Sequence, residues 1–64
     1  MVKVGKTYDL NMCEPRHDGF DSVKYPLWTV KEIDGPVVTF VRDGEEWTIN
    51  LASPLFGYAS EPGS

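Results

Sequence analysis

The sequence predicts a single small all-β domain, and three observations carry that reading. Turn signals recur at short intervals: Asp-Gly at 18, 34 and 43, Tyr25-Pro26, Ser53-Pro54 and Pro62-Gly63. The runs between them are rich in Val, Ile, Thr, Phe, Tyr and Trp, the residues that fit a pleated, half-buried surface. No long stretch repeats its apolar residues at the helical period. Strands are expected at 2–10, 27–33, 37–42, 46–51 and 57–60, with a long first loop over 11–26. Ser53-Pro54-Leu55-Phe56 is too short for a strand and is expected to form one 3₁₀ turn. The domain spans 1–60, and 61–64 reads as a frayed tail.

The stretch Val37–Leu51 sets its own register. Asp43-Gly44 is the strongest two-residue hairpin signal, because a type I′ turn needs positive φ at both central positions. That turn places Arg42 opposite Glu45, Phe40 opposite Trp47, Thr39 opposite Thr48 and Val38 opposite Ile49. Side chains alternate faces along a strand. Val38, Phe40, Trp47, Ile49 and Leu51 therefore share the core face, while Thr39, Glu46, Thr48 and Asn50 share the other with Val37 and Val41. A slip of one residue would mix the two sets.

The preceding hairpin tests this assignment. A two-residue Asp34-Gly35 turn would bury Thr29 and Lys31. A three-residue Asp34-Gly35-Pro36 loop instead pairs Val30 with Phe40, and a bulge near Lys31-Glu32 then turns Glu32 outward and Ile33 inward. Five short strands hide one apolar face only by curling into a small barrel or two packed sheets. The element order resembles the SH3-like barrel: first strand, long acidic loop, three meandering strands with a tight distal turn, then a 3₁₀ turn before a short last strand. The resemblance covers about residues 2–60 and rests on element order and loop lengths. It implies a five-stranded all-β SH3-like barrel and, in the manner of SH3 domains, a face for proline-rich peptides. On that face Tyr8 corresponds to the first-strand aromatic, Asp18 and Asp21 to the loop acids, and Pro54 and Phe56 to the residues around the 3₁₀ turn. Where SH3 domains open the third strand with a tryptophan pair, this chain has Val37-Val38.

Composition narrows the function. Net charge is −4, and the six Lys and Arg residues are scattered singly. Binding to a phosphate backbone draws on a focused basic patch, so direct nucleic-acid binding is not expected. One cysteine cannot form an internal disulfide, which fits a reducing compartment and a cytoplasmic protein. No apolar run reaches the ~18 residues of a membrane helix, and the first residues lack the apolar stretch of a signal peptide.

Cys13 and His17 lie four residues apart among carboxylates. Zinc needs four ligands, and the chain has no second Cys or His, so no metal site and no cofactor is expected. The same two residues form a nucleophile–base pair only in name, because nothing orients them and a small barrel leaves no cleft. The expectation is a non-enzyme. Phe40, Trp47 and Trp28 belong to the core, whereas Phe20, Tyr25, Phe56 and Tyr58 fall in loops or near the chain end. Val37, Val41 and Leu27 point outward, and an exposed apolar patch marks an interface; a homodimer would also relieve the shortage of core. Two functions follow. The first is a protein-binding module using Glu14, Asp18, Phe20, Asp21 and Tyr25 of the loop, Pro54, Phe56 and Tyr58 of the 52–58 turn, or the outer valines. The second is an acidic inhibitor, such as a phage-encoded one, that covers the basic nucleic-acid-binding surface of an enzyme with Asp9, Glu14, Asp18, Asp21 and the Asp43-Glu45-Glu46 tip.

Overall fold

A computed structural model describes residues 2–63 and contains five antiparallel strands and no helix. They are β1 (Thr7–Arg16), β2 (Gly19–Asp34), β3 (Val37–Arg42), β4 (Glu45–Asn50) and β5 (Phe56–Ser60). Met1, at the start of the expected domain, and Ser64, at the end of the expected tail, lie outside the described residues. The strands form one sheet in the order β4-β3-β2-β1-β5, and the sheet does not close on itself.

The β3–β4 register is the one that the turn chemistry dictates. Asp43 and Gly44 both have positive φ, 49° and 83°, and Phe40 pairs with Trp47, Val38 with Ile49 and Thr39 with Thr48. The β2–β3 hairpin carries the expected bulge: the register shifts between Val30 and Glu32, which leaves Lys31 as the extra residue. Val30 faces Phe40 and is buried, whereas Ile33, expected inward, pairs with Val38 but remains 40% exposed near the hairpin end. The loop is shorter than the expected three residues, because Asp34 pairs with Val37 and only Gly35-Pro36 turn the chain. Gly35 sits at the first central position with φ 60°, the place where a type II′ turn takes glycine.

Residues 11–26 are not a loop. They form the far part of a long β1–β2 hairpin, paired from Thr7↔Thr29 to Arg16↔Gly19, with His17-Asp18 at the turn. The first strand accordingly runs over Thr7–Arg16 rather than 2–10. The segment before it lies beside β2, with Gly5 N–H donating to Val30 O and Val30 N–H donating to Lys6 O, each at 2.9 Å. The expected 3₁₀ turn is two consecutive turns, in which Ser53 N–H donates to Asn50 O and Phe56 N–H to Ser53 O.

β2 has 16 residues, and a straight strand of that length would run ~50 Å. The longest extent of the chain is 37 Å, so β2 must bend. Two irregularities provide the bends: the Lys31 bulge, and a second at Pro26-Leu27, where the pairing jumps from Tyr8↔Trp28 to Leu10↔Tyr25. At the second, Leu27 takes φ 61°, a left-handed conformation that costs a non-glycine residue ~1–2 kcal/mol. Its N–H turns to the Asp9 carboxylate, which accepts it at 3.1 Å.

Bending gathers the apolar faces. Leu10, Val30, Val38 and Phe40 are fully buried, joined by Val2, Tyr8 and Ile49. Tyr8, read as a partner-facing aromatic by the SH3 resemblance, is a core residue instead, and its hydroxyl accepts the Lys3 N–H at 3.1 Å. Two polar residues of β1 are also buried, Asp9 and Asn11. The Asn11 amide donates to Tyr58 O and Ser60 Oγ on β5. Gly57 bulges out of the β1–β5 ladder, and a Cβ there would lie 2.6 Å from the Asn11 carbonyl oxygen. Only glycine allows that approach.

The role of Asp9 can be measured. Asp9→Ala removes the acceptor of the part-buried Leu27 N–H and should lower stability by ~1 kcal/mol, read as a lower urea midpoint at unchanged slope. Asp9→Asn keeps an acceptor and should lose less than half of that. Equal losses in the two variants would show that the negative charge, not the acceptor, is what the bulge requires.

Candidate functional site

Beyond β3 and β5 the β1–β2 hairpin continues alone. β3 reaches β2 only from Thr29 onward, and β5 reaches β1 only from Asp9 to Met12, with one further bond from Cys13 N–H to Leu55 O at 2.8 Å. Pro15 is tolerated there because its missing N–H would have faced β5 where β5 has already ended. Residues 14–22 are all exposed. This arm carries Glu14, Asp18, Phe20 and Asp21, with Tyr25 at its base.

Its two faces differ. Glu14 lies opposite Asp21, and like charges in that position repel. Each carboxylate has a partner that offsets this. Arg16 binds Asp21 at 2.6 Å and Asp18 at 3.4 Å, while the Tyr25 hydroxyl donates to Glu14. The Tyr25 ring then packs edge-on against Trp47, 5.0 Å between centroids, and Trp47 against Trp28 at 5.4 Å. A line of contacts thus runs from the arm into the core. The Trp28 indole N–H is buried and has no hydrogen-bond partner among the described residues. Phe20 lies opposite Pro15 on the other face of the arm and is 69% exposed.

The remaining candidates lie elsewhere. Pro54 is in the turns before β5, Phe56 faces Met12, and Tyr58 faces Asn11. Met12 and Asn11 point to opposite faces of β1, so Phe56 shares the face of Glu14 and Tyr25 and Tyr58 does not. The eight residues are therefore not one site. A cleft of about 290 Å³ opens beside β5, contrary to the expectation of none, lined by Val2, Tyr8, Leu51, Phe56, Tyr58 and Ala59 among others. The outer valines are a weaker patch than expected. Val37 and Val41 are half-buried, and each has polar cross-strand neighbours: Asp34 and Asn50 for Val37, Thr29 and Glu46 for Val41. On that same face Lys31 pairs with Glu46, whose hydrogen bond and charge raise the Lys31 pKa.

Sequence reasoning missed Arg16, which ties the arm's acids, and the reach of Trp47. The signal for the arm was the alternation Tyr8, Leu10, Met12 matched by Val23 and Tyr25. Cys13 is half-buried in β1 and His17 is exposed at the turn. Extended backbone between them separates their Cα atoms by on the order of 10 Å. Among the described residues no group of three His, Cys, Asp or Glu side chains is placed to hold a metal ion, and no helix is long and apolar enough to cross a membrane. Compared with protein-family models, curated proteins and solved structures, the chain matches none.

The Glu14–Tyr25 contact has a titration signature. The hydrogen bond to Glu14, then partial burial and the Glu14 charge, raise the Tyr25 pKa above its ordinary 10.0. The folded state therefore favours the neutral phenol. The contribution is complete below pH 10 and disappears as pH rises through the raised value. Ultraviolet titration of Glu14→Gln should show one tyrosine ionising at lower pH than in the parent chain. An unchanged curve would mean that Glu14 does not hold Tyr25 in solution.

Proposed function

We propose that the chain is a small, non-catalytic protein-binding module that engages a protein partner through the β1–β2 arm. One observation carries this reading: the arm stands clear of the rest of the sheet and leaves Phe20 in water at its end. A two-stranded ribbon without a third strand is marginal in water. A large apolar ring that touches no core adds nothing to this fold, whereas a buried aromatic anchor is what partner surfaces use. The arm is ordered from within by Arg16, which reduces the cost of ordering it on binding. The surrounding body is read as an SH3-like barrel. The strand order, the bent β2 serving both halves of the sheet, and the Asp43-Gly44 distal turn support that reading. The separation of Cys13 from His17 supports the non-catalytic part, since a nucleophile and its base work within hydrogen-bond reach.

The acidic-inhibitor reading draws on the same arm but on different atoms. Arg16 turns two of its carboxylates, Asp18 and Asp21, toward a cation already in the chain, which leaves less charge for a basic surface. Affinity enrichment from lysate of the native host, comparing the parent chain with two variants, separates the readings. Phe20→Ser should reduce capture of the specific partner at least tenfold, about 1.4 kcal/mol. The triple variant Glu14→Gln, Asp18→Asn, Asp21→Asn should retain it with a shallow salt dependence. Loss in the triple variant, with steep weakening as salt rises, would favour the inhibitor. A partner retained equally by the parent and both variants would remove the arm from the interface.

A further inference from the structure

The cleft beside β5 exists because two residues of that strand are small. β5 reads Phe-Gly-Tyr-Ala-Ser. Phe56 pairs with Met12 and Ala59 with Leu10, so these two lie toward the core. Gly57 offers no side chain, and none can be added, since a Cβ there would meet the Asn11 carbonyl oxygen at 2.6 Å. A glycine and an alanine leave unfilled the space that larger strand residues would take. The opening of about 290 Å³, lined also by Val2 and Leu51, is near the lower end of the range for small-molecule sites.

The lining has a defined chemistry. Tyr8, Phe56 and Tyr58 are aromatic, and no charged residue lines the cleft. Tyr8 supplies a polar handle, although only 7% of it is exposed. Its hydroxyl accepts the Lys3 N–H at 3.1 Å. That nitrogen is bonded to the carbonyl carbon of Val2, which places the hydroxyl beside a wall of the cleft. A phenol donates as well as accepts, and among the described residues no acceptor takes the Tyr8 proton. A buried donor left without a partner is costly.

We propose that this cleft binds a small, uncharged aromatic molecule carrying one carbonyl group, with its ring against Phe56 and Tyr58 and its oxygen accepting from the Tyr8 hydroxyl. The walls select this class. An ion would lose its hydration and meet no countercharge. A hydrocarbon would leave the Tyr8 proton unpaired. Aromatic walls favour a ring, edge-on or offset. The site is separate from the arm, because Phe20 lies beyond the end of β5.

Titration of the isotope-labelled full chain, read by amide chemical shifts, tests this with three probes. Acetophenone supplies the ring and the carbonyl, isopropylbenzene the same shape without the oxygen, and benzoate a charge. Acetophenone should shift the amides of Leu51, Phe56, Gly57 and Ala59 and spare Asp18 and Phe20. Benzoate should bind at least tenfold more weakly. Tyr8→Phe should weaken acetophenone about fivefold, which is about 1 kcal/mol, and leave isopropylbenzene unchanged. Ala59→Leu fills the cleft and should abolish binding of both, while Phe20→Ser should bind as the parent does. Ala59→Leu leaves the Tyr8 hydroxyl in place, so it decides the outcome if Tyr8→Phe fails to fold. Absence of acetophenone shifts up to its solubility limit would overturn the proposal. So would benzoate binding as tightly as acetophenone, equal effects of Tyr8→Phe on both neutral probes, or binding that survives Ala59→Leu.

Discussion

The contact between Trp47 and Tyr25 is the constraint on which the rest of the structure depends. The two residues stand on β4 and β2, with β3 between them. Strands one apart in a sheet are about 4.8 Å apart, so strands two apart are separated by roughly twice that. Ring centroids at 5.0 Å fit a sheet that curls over its apolar face. Those rings pack against the core cluster that holds Phe40 and Val38. The curl also turns the lower half of β2 away from the upper half, and this leaves the arm projecting.

Two buried polar residues place β1 between its neighbours. Asp9 reaches one way, to the bulge of β2, and Asn11 reaches the other way, to β5. Each is short enough to be buried and bonds to backbone that the sheet ladder leaves irregular. Apolar residues at these positions would pack but would not distinguish one register from the next. Buried polar groups with satisfied partners do. β1 is thereby aligned with both neighbours by side chains as well as by its own backbone.

How much of this is legible in the sequence differs sharply between the two hairpins. The β3–β4 pair is readable residue by residue, because Asp43-Gly44 accepts few turn types and only one register keeps Phe40, Trp47, Val38 and Ile49 together. The Lys31 bulge is readable for the same reason, since Val30 and Ile33 cannot both fall on the side of Phe40 and Val38 without it, although Ile33 stays exposed. The β1–β2 pair is obscured. Pro15 and Pro26 read as strand breakers, yet one lies where no neighbour needs its N–H and the other lies in a bulge. Exposed polar residues dominate 14–24, so the alternation that marks a half-buried strand fades where the arm leaves the body. By sequence Glu14, Asp18, Phe20, Asp21 and Tyr25 read as loop residues, whereas all but Asp18 lie on strands, and the grouping of the candidates near β5 depends on the Gly57 bulge. That bulge puts Phe56 and Tyr58 on opposite faces, and no spacing rule reveals it.

The freestanding part of β1–β2 has a consequence for how such a chain can diversify. No third strand constrains its length, so residues can be inserted or deleted at the His17-Asp18 end without moving the body. The pleat sets the permitted step: adding two residues to each strand returns every tip side chain to its original side, whereas adding one to each exchanges the sides. Lineages sharing this scaffold would therefore vary the reach of the arm in even increments while the curled core stays constant.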